Sequence, residues 1–155
     1  MPKRMIDDHQ ELEEFLDQEL VGRLATSVDG YPYIVPLCFV YYRGCIYLHS
    51  GQGGQKLENI KRNPQVCFQV DRINKFYQGD KACNYSLDYK SVIIFGKALE
   101  VEEANEKEEA LRVLASRFIP SDQEVSSFNP GKLKNTVVVK IEVDKITFKA
   151  NEKPD

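Results

Sequence analysis

The stretch Tyr31-Pro32-Tyr33-Ile34-Val35-Pro36-Leu37-Cys38-Phe39-Val40-Tyr41-Tyr42 decides the fold. Its aromatic and β-branched residues read as one long strand. Tyr33, Val35, Leu37 and Phe39 fall on one face, and Ile34, Cys38 and Val40 on the other. An antiparallel strand with one wet face alternates apolar and polar residues, and this one does not. Its second face therefore needs a cover other than water, either a subunit partner or a flat ligand. Pro36 removes a ladder donor, so the strand is interrupted, bulged or at an edge there. Such a gap is a place where a ring system can lie against backbone.

Working outward, Asp29-Gly30 is a strong hairpin signal joining this strand to residues 23–28. Arg43-Gly44 turns the chain into a third strand, residues 45–49. Further strands are read at residues 66–70, 91–101 and 136–148, the last alternating through Val137, Val139, Ile141 and Val143. A first helix capped by Asp7 or Asp8 carries Leu12, Phe15, Leu16 and Leu20 at helical spacing. A short second helix buries Leu57 and Ile60 and stops before Pro64. A third, residues 104–118, is read as burying Leu111, Leu114, Ala115 and Phe118. Glu106, Glu108 and Glu109 early in it and Arg117 late suit its macrodipole. Residues 72–88 and 120–134 read as loops. The pattern predicts a single α+β domain over residues 1–155: a six-stranded antiparallel barrel with flanking helices, without repeats or a linker.

Bulk properties bound the function. A chain of 155 residues, 42% hydrophobic and 29% charged, suits one globular core. A net charge of -3 argues against nucleic acid and anionic lipid as partners. No apolar run approaches the ~20 residues a bilayer requires, and the first residues lack a secretory h-region. A cytoplasmic location is expected, with Cys38, Cys45, Cys67 and Cys83 as reduced thiols, Cys83 the most exposed. There is no C-x-x-C pair, and the only histidines are His9 and His49, so no metal site is expected.

The most suggestive local run is His49-Ser50-Gly51-Gln52-Gly53-Gly54-Gln55-Lys56-Leu57. A strand ends in a hydroxyl, glycines allow close backbone approach, and a helix begins with its N–H groups toward the loop. Lys56 adds a charge in the first turn, an arrangement that suits a phosphate and equally a flexible turn with a solvated lysine. It is not a Walker A loop, since Gln55 precedes Lys56 and Leu57 follows it. His49 can contact a ligand or serve as a packing residue; Arg23 can contact a ligand or lie solvated. No carboxylate pair, Ser-His-Asp or Cys-His arrangement emerges. That scarcity favours a cofactor bringing its own chemistry.

Gly22-Arg23-Leu24-Ala25-Thr26, the Asp29 to Leu37 stretch, His49-Ser50 to Lys56-Leu57, Asn63-Pro64-Gln65-Val66-Cys67-Phe68 and Tyr89-Lys90-Ser91-Val92-Ile93-Ile94-Phe95-Gly96 occur in order. Together, across residues 5 to 118, this set resembles the FMN-binding split-barrel proteins related to pyridoxamine 5'-phosphate oxidase, the nitroimidazole-resistance (Nim-type) branch above all. The resemblance implies a split barrel and a homodimer holding FMN in clefts between subunits. It places the backbone of Val35, Pro36 and Leu37 along the isoalloxazine, and Ser50 and Lys56, with Arg23, at the phosphate. Tyr89, Ser91 and Val92 match the strand offered by the other subunit, and His49 stands where its ring can reach the flavin edge or supply a proton near neutral pH. Electrons would pass from NAD(P)H or another donor to a small acceptor such as a nitro compound. A flavin carrier or sensor without turnover is the alternative. The oxidases proper carry a C-terminal segment with tryptophan and arginine; this chain has no tryptophan.

Overall fold

The computed structural model describes residues 3–125 and 128–152; the remaining residues of the expected 1–155 domain, Ser126 and Ser127 of the expected loop among them, lie outside the described residues. The elements in chain order are β1 (Lys3–Met5), α1 (His9–Gln18), β2 (Val21–Val28), β3 (Tyr31–Tyr42), β4 (Cys45–Gly51), α2 (Gln55–Arg62), β5 (Gln65–Tyr77), β6 (Ser86–Glu100), α3 (Ala104–Ser116), α4 (Pro130–Asn135) and β7 (Thr136–Asn151). The sheet runs β1-β7-β4-β3-β2-β5-β6, and a further β6–β7 pairing closes it into a barrel. All pairings are antiparallel. The α+β split barrel with flanking helices is therefore present, with seven strands rather than six. The extra strand, β1, is three residues long and lies against Lys149, Ala150 and Asn151 of β7.

Phe39, Phe68, Leu24, Ile46, Ile94, Val70, Val92 and Ile141 fill the barrel with almost no exposed surface. Phe39 meets Phe68 edge-on at 5.2 Å between ring centroids. Gly22 admits that ring: a Cβ there would come within 2.2 Å of Phe68 Cζ. Asp8 caps α1 by accepting from the N–H groups of Gln10 and Glu11, and Leu12, Phe15 and Leu16 seal one end of the barrel. A second cluster, with Val40, Tyr47, Val138, Leu111 and Leu114, binds α3 to the outside of β3, β4 and β7.

Several sequence expectations change. Leu20 lies past α1 and is exposed, and Phe118 lies past α3 and is exposed. Ala115 is only half-buried. Arg117 serves α1 rather than its own helix: its guanidinium donates to the carbonyls of Leu16, Asp17 and Glu19, a cation at the carbonyl end of a neighbouring helix. The expected loop at 72–88 is mostly the far half of a β5–β6 hairpin, paired to Tyr77↔Ser86 across a bulge between Ile73 and Lys75. The expected loop at 120–134 contains the start of α4, which begins at Pro130 with Asn129 accepting from the Gly131 N–H.

Candidate functional site

The site is made by two strands parting company. β3 and β4 pair tightly from Tyr42↔Cys45 to Phe39↔Leu48, around a turn at Arg43 and Gly44, both with positive φ. Beyond that point, among the described residues, residues 31–38 of β3 pair only with β2, and His49, Ser50 and Gly51 of β4 pair only with β7. Each strand is left with an open backbone edge on the side where the other would have been. Pro32 and Pro36 both lie in this half, so an unpaired strand edge, rather than a bulge, is the outcome for Pro36.

The chain crosses from the open end of β4 to α2 through the glycine run. Ser50 is buried and, by strand alternation, shares the inward side with Ile46 and Leu48. Gly53 and Gly54 hold φ of 89° and 102°, a region that suits glycine. Gly54 is the N-cap of α2 and supplies no side-chain acceptor, so no cap side chain competes for the first N–H groups of the helix. Lys56 stands half-buried in that first turn. The helix is held in place from below. Leu57 and Ile60 enter the core, Asn59 Nδ2 donates to Thr26 Oγ1 at 2.9 Å, and Asn63 Nδ2 donates to the Ser27 carbonyl at 2.8 Å. An open strand edge, a buried hydroxyl, an uncapped helix start and an ammonium in one run fit a flat ring carrying a phosphate.

The other predicted residues divide by face. Val35 and Leu37 turn inward and pack on the core, while Pro36 lies on the outer side with Ile34 and Cys38. Arg23, paired with Pro36 and with Gln69, sends its guanidinium toward β5, where Asp71 accepts at 2.8 Å. His49 is exposed on the face opposite Ser50, beside Val138 of β7. Tyr89 and Ser91 lie on the outer side of β6, whereas Val92 is wholly buried, so its side chain contributes packing rather than contact surface. In the closed barrel β6 is three strands from β3 in either direction. One chain therefore brings Ser50, Lys56, His49 and residues 35–37 together and leaves Tyr89 and Ser91 on the far side.

That outer side of β3, β2, β5 and β6 is unusually apolar for an exposed surface. Ile34 (64% exposed), Val21, Ile93 and Phe95 share it with Ala25 and Cys67. Sequence reading also missed a groove of about 520 Å³ between the β2–β3 turn and α2, lined by Asp29, Tyr31, Tyr33, Gln55, Asn59 and Arg62. Its residues come from separate segments: Asp29, Tyr31, Tyr33 and Gln55 fell inside quoted motifs, whereas Asn59 and Arg62 did not. A second hollow of about 400 Å³ beneath α3 holds Tyr47, Glu106 and Lys140. There Lys140 Nζ (2.9 Å) and Tyr47 Oη (3.0 Å) donate to Glu106, keeping its carboxyl below the usual carboxylate range. Burial, reinforced by Glu106, pushes the Tyr47 hydroxyl up to about 12. Among the described residues no group of His, Cys, Asp and Glu could hold a metal ion, and no helix is long and apolar enough to cross a membrane.

The class defined by fold and site is an α+β split β-barrel with a helix that starts, without a side-chain cap, at its parted strands. The pyridoxamine 5'-phosphate oxidase family profile matches residues 8–150, and the chain belongs to that family. It is similar to a candidate 5-nitroimidazole antibiotic resistance protein from Bacteroides thetaiotaomicron: 30% identity, 97% of this chain and 92% of the other covered, TM-score 0.82. An FAD-binding protein from Mesorhizobium loti is 25% identical over 98% of this chain and all of its own, with TM-score 0.71. An FAD and heme binding protein from Mycobacterium smegmatis shares the fold at TM-score 0.87 and 21% identity, over 97% of this chain and 75% of its own. No curated protein matches the chain significantly.

Proposed function

We propose that this chain is an oxidoreductase of a homodimer that holds FMN in a cleft between subunits. Electrons pass from NAD(P)H to a small acceptor of the nitro-compound kind, in the cytoplasm. The observation that carries the reading is the parting of β3 and β4 directly before the uncapped start of α2. Similarity to the Mesorhizobium and Bacteroides proteins supports it. The free thiols Cys38, Cys45, Cys67 and Cys83 suit a reducing compartment.

When bound, the flavin supplies the hydride and single-electron chemistry that the side chains lack. The chain's own residues bind and orient it. Ser50 and Lys56 hold the phosphate against the N–H groups of α2, and the open edge at Val35, Pro36 and Leu37 lies along the ring. Arg23, already neutralised by Asp71, sits at the outer rim. His49 holds a proton for the acceptor at its imidazole. Tyr89 and Ser91, with the backbone of their strand, complete the site in the second subunit. The apolar surface around Ile34, Ile93 and Phe95 is what that subunit covers.

Protein purified without stripping should show a flavin absorbance spectrum, release flavin on denaturation and oxidise NAD(P)H with a nitro-aromatic acceptor. A spectrum without flavin after incubation with excess FMN would overturn the proposal. Flavin retained without NAD(P)H oxidation would make the chain a carrier.

A further inference from the structure

We infer that the far half of the β5–β6 arm is the wall that binds the acceptor at the partner subunit's flavin, and that it selects a flat, uncharged aromatic molecule. This rests on the dimer and the shared cleft proposed above. The observation behind it is the bulge in β5. From Tyr89 to Leu87, β6 advances two residues, while the residues paired with them on β5, Ile73 and Phe76, are three apart. The extra residue resets the alternation of β5, so Phe76 joins Ile73 on the outer side instead of turning away from it. Paired residues share a face of the sheet. One outer stripe therefore runs from Phe95, Ile93 and Tyr89 to Leu87 on β6, with Ile73 and Phe76 beside it on β5.

The end of that stripe is a built hollow of about 350 Å³, lined by Phe76, Tyr77, Gln78, Tyr85, Ser86 and Leu87. Phe76 is 70% exposed and Tyr85 61%, rings held out on an arm where a flat ligand can stack on them. None of the lining residues is charged, so the hollow offers no partner to a phosphate or carboxylate, unlike the hollow at Lys140 and Glu106 beneath α3. Leu87 stands two residues, about 7 Å, beyond Tyr89, which is proposed to meet the partner's flavin. A ring held between Leu87 and Phe76 thus lies next to that flavin. In the closed barrel β6 is three strands from β3 either way, so the arm serves the partner's cleft and not its own. For a nitro-aromatic acceptor, reduction to the nitroso compound takes two electrons and two protons and releases water. NAD(P)H supplies the hydride and solvent the second proton.

Phe76 and Tyr85 are exposed, so replacing them leaves the fold intact, with thermal melts as the control. The test compares the FMN-loaded native chain, Phe76→Ala and Tyr85→Ala with nitrobenzene and nitrobenzoate as acceptors. Flavin content and the flavin difference spectrum on adding nitrobenzene are read alongside the kinetics. The native chain should show the lower KM for nitrobenzene. Each variant should keep its flavin and its kcat, raise the KM for nitrobenzene roughly tenfold, and weaken the spectral titration by the same factor. At limiting FMN and low nitrobenzene, mixed Phe76→Ala and Lys56→Ala chains should exceed the summed activity of the two alone, because one site of the mixed dimer joins a native anchor to a native arm. An unchanged KM in both variants, loss of flavin from either, no preference for the uncharged acceptor, or a mixture no better than its parts overturns the inference. A native chain that takes up no flavin would instead refute the proposed function.

Discussion

The two halves of the β3–β4 hairpin are made from similar residues and meet opposite fates. In the half next to the turn, Phe39, Tyr41, Ile46 and Leu48 face the barrel core while Val40 and Tyr47 lie under α3. Apolar side chains on both faces are buried there because the chain itself supplies a cover for each. In the parted half, Ile34 is 64% exposed and Tyr31 80%, and nothing among the described residues covers them. A strand apolar on both faces along its whole length thus carries two instructions: fold here, and receive something there. The closed half makes the barrel, and the open half makes the candidate site.

Breaking the closed half should have the largest effect. Phe39→Ala removes a fully buried ring from the edge of Phe68 and should cost about 3–5 kcal/mol in urea unfolding. Ile34→Ala in the open half should change the stability of the single chain by less than about 0.5 kcal/mol, yet weaken the proposed dimer measured by light scattering. Equal destabilisation by both substitutions would erase the contrast.

A second prediction sharpens the roles of the two faces at the open end of β4. His49 faces outward and Ser50 inward. His49→Gln should keep its flavin and lose on the order of 10²-fold in acceptor reduction per bound flavin. Unchanged turnover per flavin would return His49 to a purely structural place.

The smallest effect lies in the cover of the closed half. Glu106 ties α3 to Lys140 and Tyr47, and its depressed carboxyl contributes stability that is present at neutral pH and lost as pH falls through the carboxylate range. The raised Tyr47 acts in the opposite direction: its contribution is present below its ordinary value of 10.0 and is lost as pH climbs toward about 12. Because Glu106 is partly solvated, Glu106→Gln should cost at most about 1 kcal/mol and flatten the acid limb of the stability profile. An unaltered acid limb would mean the pair does not hold α3.

Much of this contrast is legible in residues 31–57, because the turn signals, the doubly apolar strand and the phosphate-type run are local in sequence. What was not legible is non-local. β1 exists only through its pairing with β7, whose partners Lys149, Ala150 and Asn151 lie at the far end of the chain. The β5–β6 arm looked like a loop because the bulge after Ile73 breaks the period-two pattern and its far half, with Phe76 and Tyr85 exposed, packs on no core. The groove at Tyr31 and Arg62 needs the fold to bring a turn against the end of a helix. Asn129-Pro130 was a readable helix start that the surrounding polarity hid.

The central claim is that the parted strands and the start of α2 hold a flavin phosphate. It is tested most directly by titrating stripped native protein and Lys56→Ala with FMN and following flavin fluorescence. One FMN should bind per chain, with binding weakened in the variant by roughly 1.5–3 kcal/mol, the range for a hydrogen bond to a charged group. Saturable binding that is identical in the two proteins would place the flavin elsewhere and contradict the account.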